Sequence, residues 1–327
     1  MGIKIIGTGS YAPPRILSNA DLEKMVDTTD EWISTRTGIK ERHIAAPEVA
    51  TSDLALEAAK QALDAAGLKP EDLDVISVAS ISSDKVFPST ACFLQRKLGA
   101  KNAFCYDLQA ACSGLLYSLE TAFWMLKGGK YKNFLVVGAE KLSSIVDWQD
   151  RSTCVLFGDG ASAMVLQKTG RGVQDCIVAS RLCSDGNYTE ILHVPAGGSA
   201  QPTSHETVEQ RLHYLKMGGQ EVFKLAVNGM VSASKEVLEK AGIAASDVAW
   251  VIPHQANMRI LKAVASRLDL PEERVYVNVD RYGNTSAASI GIAVDELVRG
   301  GKIKHGDLVL LTAFGGGLTW GAMLLRW

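Results

Sequence analysis

The sequence predicts an α/β fold built from two similar halves, and three observations carry that expectation. Strand and helix signals alternate along the whole chain, which favours mixed layers over an all-helical bundle. The segment 58–77 (AAKQALDAAGLKPEDLDVIS) returns at 233–252 (ASKEVLEKAGIAASDVAWVI), a constant offset of 175 residues. A second echo pairs GASAMVLQ (160–167) with WGAMLLRW (320–327). Two echoes in the same order place similar halves at 1–172 and 173–327, packed as one body with a site at their junction.

The elements follow in chain order. The apolar start MGIKIIG is too short for a signal-peptide core and is soon interrupted by glycine and proline. Gly7-Thr8-Gly9-Ser10-Tyr11-Ala12 looks like a dinucleotide fingerprint, but Pro13 and Pro14 prevent the helix that such a turn must open. Those glycines are therefore expected to form a tight bend. Residues 52–66 carry apolar side chains at helical spacing, with Ser52 as N-cap and Gly67 as the stop. The short apolar runs at 74–79, 134–140, 161–167 and 308–313 read as buried strands.

Composition narrows the function. Of 327 residues 47% are hydrophobic and 21% charged, and the formal net charge is −2, so no global basic field exists to hold nucleic acid or an anionic membrane. No window approaches the roughly 18 apolar residues of a membrane helix. The six cysteines, at 92, 105, 112, 154, 176 and 183, form no C-x-x-C pair, which argues against a zinc site. Several lie in apolar contexts typical of reduced thiols, so a cytoplasmic protein is expected.

Four segments carry chemistry. Cys112 stands between a strand-like run and the helical pattern LLYSLETAFWML, at a helix start where dipole and free amides favour a thiolate. Its small neighbours Ala110, Ala111, Ser113 and Gly114 leave room for another molecule; a buried core cysteine is the alternative. His254 follows the buried strand-like run Val251-Ile252-Pro253, where open α/β sheets place their sites. The other five histidines read as structural or surface groups. Asn284, in GNTSAAS, is either a turn or cap residue or a site residue. Gly315-Gly316-Gly317 either cradle an oxyanion or simply turn a hairpin.

In order along the chain, TTDEWI and TRTGI (28–39), FPSTAC (87–92), AACSG (110–114), FGDGASA (157–163), PHQAN (253–257), GNTSAAS (283–289) and FGGG-TWG (314–321) resemble the β-ketoacyl-acyl carrier protein synthase III family. The resemblance covers nearly the whole chain. It implies the thiolase fold, with two duplicated α/β halves in a five-layered αβαβα core, and a homodimer. It implies decarboxylative condensation of an acyl-coenzyme A primer, most simply acetyl, with malonyl-acyl carrier protein to initiate fatty acid biosynthesis. Coenzyme A thioester is then a substrate, and no metal or bound redox cofactor is needed.

By the same resemblance Cys112 is the nucleophile, His254 and Asn284 complete its site, and the backbone amides of Cys112 and Gly316 form the oxyanion hole. Phe314 matches a phenylalanine beside the triad. Thr28, Trp32, Arg36 and Arg151 match positions that hold coenzyme A, and Asn257 one that lines its pantetheine tunnel. Phe87 matches a residue reaching across the dimer into the partner's acyl pocket. Lys224 and Arg259 match the basic patch for the acidic carrier protein. Where that patch often has two adjacent lysines, Ser266-Arg267 stands here, so the patch is thinner.

Three other readings share some of these residues. A related enzyme with the same trio could use longer or branched primers or serve polyketide or secondary metabolism. A cysteine hydrolase could use Cys112 and His254 as a dyad, but it leaves the repeat and the Thr28–Arg36 segment unexplained. A non-catalytic redox sensor or scaffold would have a Cys112 inert to acylation.

Overall fold

A computed structural model describes residues 1–327. Nine strands build two sheets. The first contains β1 (Ile3–Tyr11), β2 (Val75–Ala79), β3 (Phe104–Leu108), β4 (Asn133–Glu140) and β5 (Gly160–Lys168) in the order β1-β5-β4-β2-β3. The second contains β6 (Ile177–Ser184), β7 (Trp250–Pro253), β8 (Leu308–Gly315) and β9 (Thr319–Arg326) in the order β7-β8-β9-β6. The strand pairs β2–β4 and β7–β8 are parallel, and β4–β5 and β8–β9 antiparallel. A parallel bridge from Val251 to Val275 occupies, beside β7, the place that β3 holds beside β2. The two sheets therefore share one strand order.

Five layers follow from which strand faces are apolar. Side chains alternate across a strand with period two, and here both faces are covered, so the strands read as unbroken apolar runs. Along β4, Leu135 and Val137 join one core while Phe134 and Val136 join another. The outer core lies under α2 (Thr51–Ala66) and α3 (Thr90–Leu98), with Leu54, Ala58 and Leu94 on Ile76 and Val165. The middle core holds α4 (Gly114–Lys127) and α7 (Ser289–Arg299) between the sheets, where Leu115, Leu119, Ile290 and Val294 meet Met164 from one side and Leu311 from the other. On the far face, α5 (Gly219–Ala241) and α6 (Met258–Arg267) set Val227, Met230 and Val264 on Leu310 and Leu324. Truncating any of these fully buried leucines to alanine costs ~2–5 kcal/mol, because close-packed surroundings collapse only partly. No helix is long and apolar enough to cross a membrane.

Two local expectations are corrected. Gly7 and Gly9 do not bend the chain; they lie inside β1, where an added Cβ would come within 2.2 Å of the Ala62 and Ala58 carbonyl oxygens respectively. Their role is to let α2 sit directly on the strand, which the helix turns Ala58 and Ala62 also permit. Ser52 is not the N-cap either. The helix starts at Thr51, and Ser52 donates its amide to Asp84 at 2.9 Å, while Asp53 accepts the Ala50 amide at 2.9 Å and closes the helix start. Gly67 does end the helix, at φ 63°.

Candidate active site

Cys112 lies in a single 3-10 turn, Ala111–Ser113, between β3 and α4. The turn is forced open by Ala111, which adopts φ 45°, a left-handed geometry uncommon for a residue with a Cβ. Space around it is set by glycines. A Cβ on Gly315 would approach the Cys112 amide nitrogen to 2.6 Å, and one on Gly114 would meet the Ala79 Cβ at 2.8 Å. Cys112 is buried at the helix start, and the expected gain in thiolate character is overridden. Burial pushes its pKa up to about 12 against the hydroxyl of Ser286, and the negative charge of Glu140 adds to the rise. The resting group is the thiol.

His254 stands one residue beyond β7, its amide tied to the Thr312 carbonyl at 2.8 Å. Its ring Nδ1 is 2.7 Å from the Ser289 hydroxyl at the start of α7. Burial lowers its pKa to about 3, so the imidazole is neutral. Asn284 is oriented by its own turn: Oδ1 accepts the Ser286 amide at 2.8 Å, which leaves the NH2 group free of that contact. A histidine ring and an amide that can both donate thus stand beside a thiol.

Cys112, His254, Asn284 and Phe314 line one apolar cavity of about 110 Å³. Leu156, Met217, Gly219, Phe223 and Asn257 line both this cavity and an outer one of about 1150 Å³. The mouth carries Trp32, Arg36, Lys224 and Arg259. The Arg36 guanidinium lies 4.5 Å from the Trp32 ring centre and that of Arg151 5.4 Å from it, a flat aromatic-cationic surface suited to a stacked base. Arg151 is further held by the Asp27 carbonyl at 2.7 Å. Behind the thiol a third cavity, about 620 Å³, shares Cys112, Phe157 and Leu192 and is walled by Leu142, Ile145 and Leu215, with Gly316 at its edge.

Not every expected residue joins these cavities. Thr28 lies just before α1 (Asp30–Thr37) and lines none of the three. Arg267 bonds Asn228 at 2.6 Å on the outer surface. Phe87 is 82% exposed on the loop before α3. His193, expected to be a structural or surface group, lines the third cavity with its side chain 25% exposed, and sequence reasoning missed Glu140. That carboxylate, at the end of β4, accepts hydrogen bonds from the Ser80 hydroxyl at 3.1 Å and the Ser82 amide at 3.2 Å, and burial raises its pKa to about 7. Neither has a motif; an acid closing an unbroken apolar strand (FLVVGAE) was the only available signal for Glu140. The side chains form no group of three or more His, Cys, Asp or Glu able to hold a metal ion.

A family model described as 3-oxoacyl-[acyl-carrier-protein] synthase III matches residues 106–186, and its C-terminal counterpart matches residues 238–327. A β-ketoacyl-[acyl-carrier-protein] synthase III of Caldanaerobacter subterraneus is 56% identical over 323 residues, 99% of this chain and 97% of that protein. The chain belongs to the β-ketoacyl-[acyl-carrier-protein] synthase III family. The synthase III crystal structure from Aquifex aeolicus superposes with a TM-score of 0.92 at 52% identity and full coverage of both chains. A priming β-ketosynthase from the R1128 polyketide pathway is similar too, with TM-score 0.91 and 35% identity over 99% of this chain and 96% of that one. The layered architecture is accordingly the thiolase fold of synthase III enzymes, and the chain is an acyltransferase of the condensing type.

Proposed function

We propose that the chain condenses an acyl-coenzyme A primer, acetyl in the simplest case, with malonyl-acyl carrier protein to give a 3-oxoacyl-acyl carrier protein, the opening step of fatty acid biosynthesis. The observation that carries this reading is the convergence of Cys112, His254 and Asn284 on one apolar cavity that opens through a narrow passage to a basic, tryptophan-bearing mouth.

In the first half-reaction the Cys112 sulfur attacks the primer thioester, the carbon–sulfur bond to coenzyme A breaks, and the thiol proton ends on the departing coenzyme A. Trp32, Arg36 and Arg151 bind the nucleotide end, with Thr28 beside them, and Asn257 lines the passage for the pantetheine arm. Malonyl-acyl carrier protein then enters, docked by Lys224 and Arg259 with Arg267 further along the face. Loss of CO2 leaves an enolate whose thioester oxygen receives hydrogen bonds from His254 and Asn284, each worth ~3–4 kcal/mol in such a site. The enolate carbon attacks the acyl-Cys112 carbonyl, and the amides of Cys112 and Gly316 hold the oxyanion until the enzyme thiolate leaves. Phe314 packs beside the trio and keeps water out. No bound metal or redox cofactor takes part.

The halves of this enzyme are residues 1–172, which bring Cys112, and 173–327, which bring His254, Asn284 and Gly316. It works as a cytoplasmic homodimer, in which the exposed Val86 and Phe87 of one protomer reach the acyl pocket of the other; their 96% and 82% exposure supports a covering partner. One observation favours a second reading. The third cavity is walled by Leu142, Ile145, Leu192 and Leu215, an apolar lining that also suits longer or branched primers as alternative substrates.

The test separates the half-reactions. Cys112→Ala gains no acyl mass from acetyl-coenzyme A, whereas His254→Ala gains it and fails to decarboxylate malonyl-acyl carrier protein. Normal condensation by the His254 variant would remove the role assigned to it. A series of acyl-coenzyme A primers, with products identified by mass, decides between acetyl and longer chains.

A further inference from the structure

We infer that Ser289 is a positioning residue that fixes the proton of the His254 ring on Nε2, and thereby makes this histidine a hydrogen-bond donor for the malonyl half-reaction and not a base for the Cys112 thiol. The inference rests on the condensing reading above for its consequence, but on the geometry alone for the tautomer.

Ser289 is almost fully buried, at 2% exposure, as is His254 at 3%. The hydroxyl lies 2.7 Å from His254 Nδ1 and accepts the Gln255 amide at 3.4 Å. A hydroxyl has one proton to give, and Nδ1 is the acceptor within reach of it. If Nδ1 carried the ring proton, it would donate to Ser289, and the serine proton would be left buried without an acceptor, which is costly. If Ser289 donates to Nδ1, hydroxyl proton and ring lone pair satisfy each other, and Nε2 bears the hydrogen. The backbone that carries the ring is anchored as well. The Thr312 carbonyl holds the His254 amide at 2.8 Å, and the neighbouring Gln255 side chain donates to the Pro253 and Tyr276 carbonyls at 2.8 and 3.0 Å.

A neutral ring with hydrogen on Nε2 has no lone pair free for the thiol proton. Burial, which disfavours the imidazolium, keeps the ring in this neutral form. The two half-reactions then depend on different groups. Acylation draws on Cys112 and its amide, while enolate formation draws on the Nε2–H that Ser289 fixes.

The experiment labels histidine with 15N in the full chain and reads ring nitrogen shifts, with His254 assigned by its loss in His254→Ala. In the wild type, Nδ1 shows the shift of an unprotonated nitrogen and Nε2 that of a protonated one. In Ser289→Ala the two nitrogens move towards averaged shifts. Malonyl-acyl carrier protein decarboxylation then falls about tenfold or more, acylation by acetyl-coenzyme A stays within about twofold, and Ser289→Thr, which retains the hydroxyl, restores both signals and rate. A wild-type ring protonated on Nδ1 overturns the inference. So does Ser289→Ala that keeps the Nε2–H signature with undiminished decarboxylation, or that loses acylation in equal proportion. Failure of the wild type to form an acyl enzyme would instead sink the condensing reading and leave the tautomer result standing.

Discussion

Ala111 and Ser286 adopt the same left-handed backbone, φ 45° and 47°, at the 175-residue offset that relates the repeated segments. Each opens a 3-10 turn, Ala111–Ser113 and Ser286–Ala288, and each turn runs into one of the two central helices. Duplication has produced one turn twice: one copy presents Cys112, the other follows Asn284 and its Oδ1–Ser286 amide bond.

The strain in that turn is measurable. Ala111→Val adds a β-branched side chain at positive φ, where the Cβ already faces a glycine at position 315. The expected loss is ~1–3 kcal/mol in folding free energy, read by denaturant unfolding, together with slower acylation because Cys112 shifts with its neighbour. Unchanged stability would show that the turn is not over-determined by its surroundings.

The thiol of Cys112 titrates high, chiefly through burial and secondarily through Glu140. Its alkylation by iodoacetamide, followed by peptide mass, therefore rises about tenfold per pH unit between pH 7 and 10 without a plateau, since the thiolate fraction is still growing. The sign for Glu140 follows from its own pKa of about 7. Above that pH the wild-type carboxylate is charged and opposes the thiolate, so Glu140→Gln alkylates faster there and no faster below. A plateau near pH 8 in the wild type would mean that the helix start outweighs burial.

At the mouth, Lys224 and Arg259 flank the passage while Arg267 is engaged with Asn228. Reversing charge with Arg259→Glu lowers kcat/KM for malonyl-acyl carrier protein about tenfold at low salt, and the deficit shrinks as ionic strength rises. Acylation by acetyl-coenzyme A, which does not use the carrier, changes little. Equal losses on both substrates would place Arg259 on the nucleotide rather than the protein.

Much of this architecture is legible in the sequence. The strands announced themselves as short apolar runs because both sheet faces are covered. The repeat exposed the doubled strand order, and the abrupt change from strand to helical spacing located the Cys112 turn. What stayed hidden depended on packing at a distance. Gly7 and Gly9 looked like a bend because their partner, the Ala58–Ala62 face of α2, lies fifty residues on. Ser52 looked like a cap because Asp84, which actually holds it, has no local relation to it. The chamber walls at Leu142, Ile145, Leu192 and Leu215 come from a single 3-10 turn, a two-residue strand and loops, all too short to show periodicity. The thiolate expectation failed for the same reason: helix position is local, but the burial that outweighs it comes from both sheets.

The cavity of about 110 Å³ at the Cys112 sulfur shares lining residues with the two larger ones, of about 1150 and 620 Å³, so the sulfur sits at a waist between two wider spaces. Both thioesters must thread the same waist, so the spent donor has to clear it before the second can arrive, and the bound acyl group waits below. The narrow space at the sulfur thus sets the order of the two events. A small apolar molecule wedged in the waist would compete with primer and extender alike, which makes that constriction the most economical place to stop the enzyme.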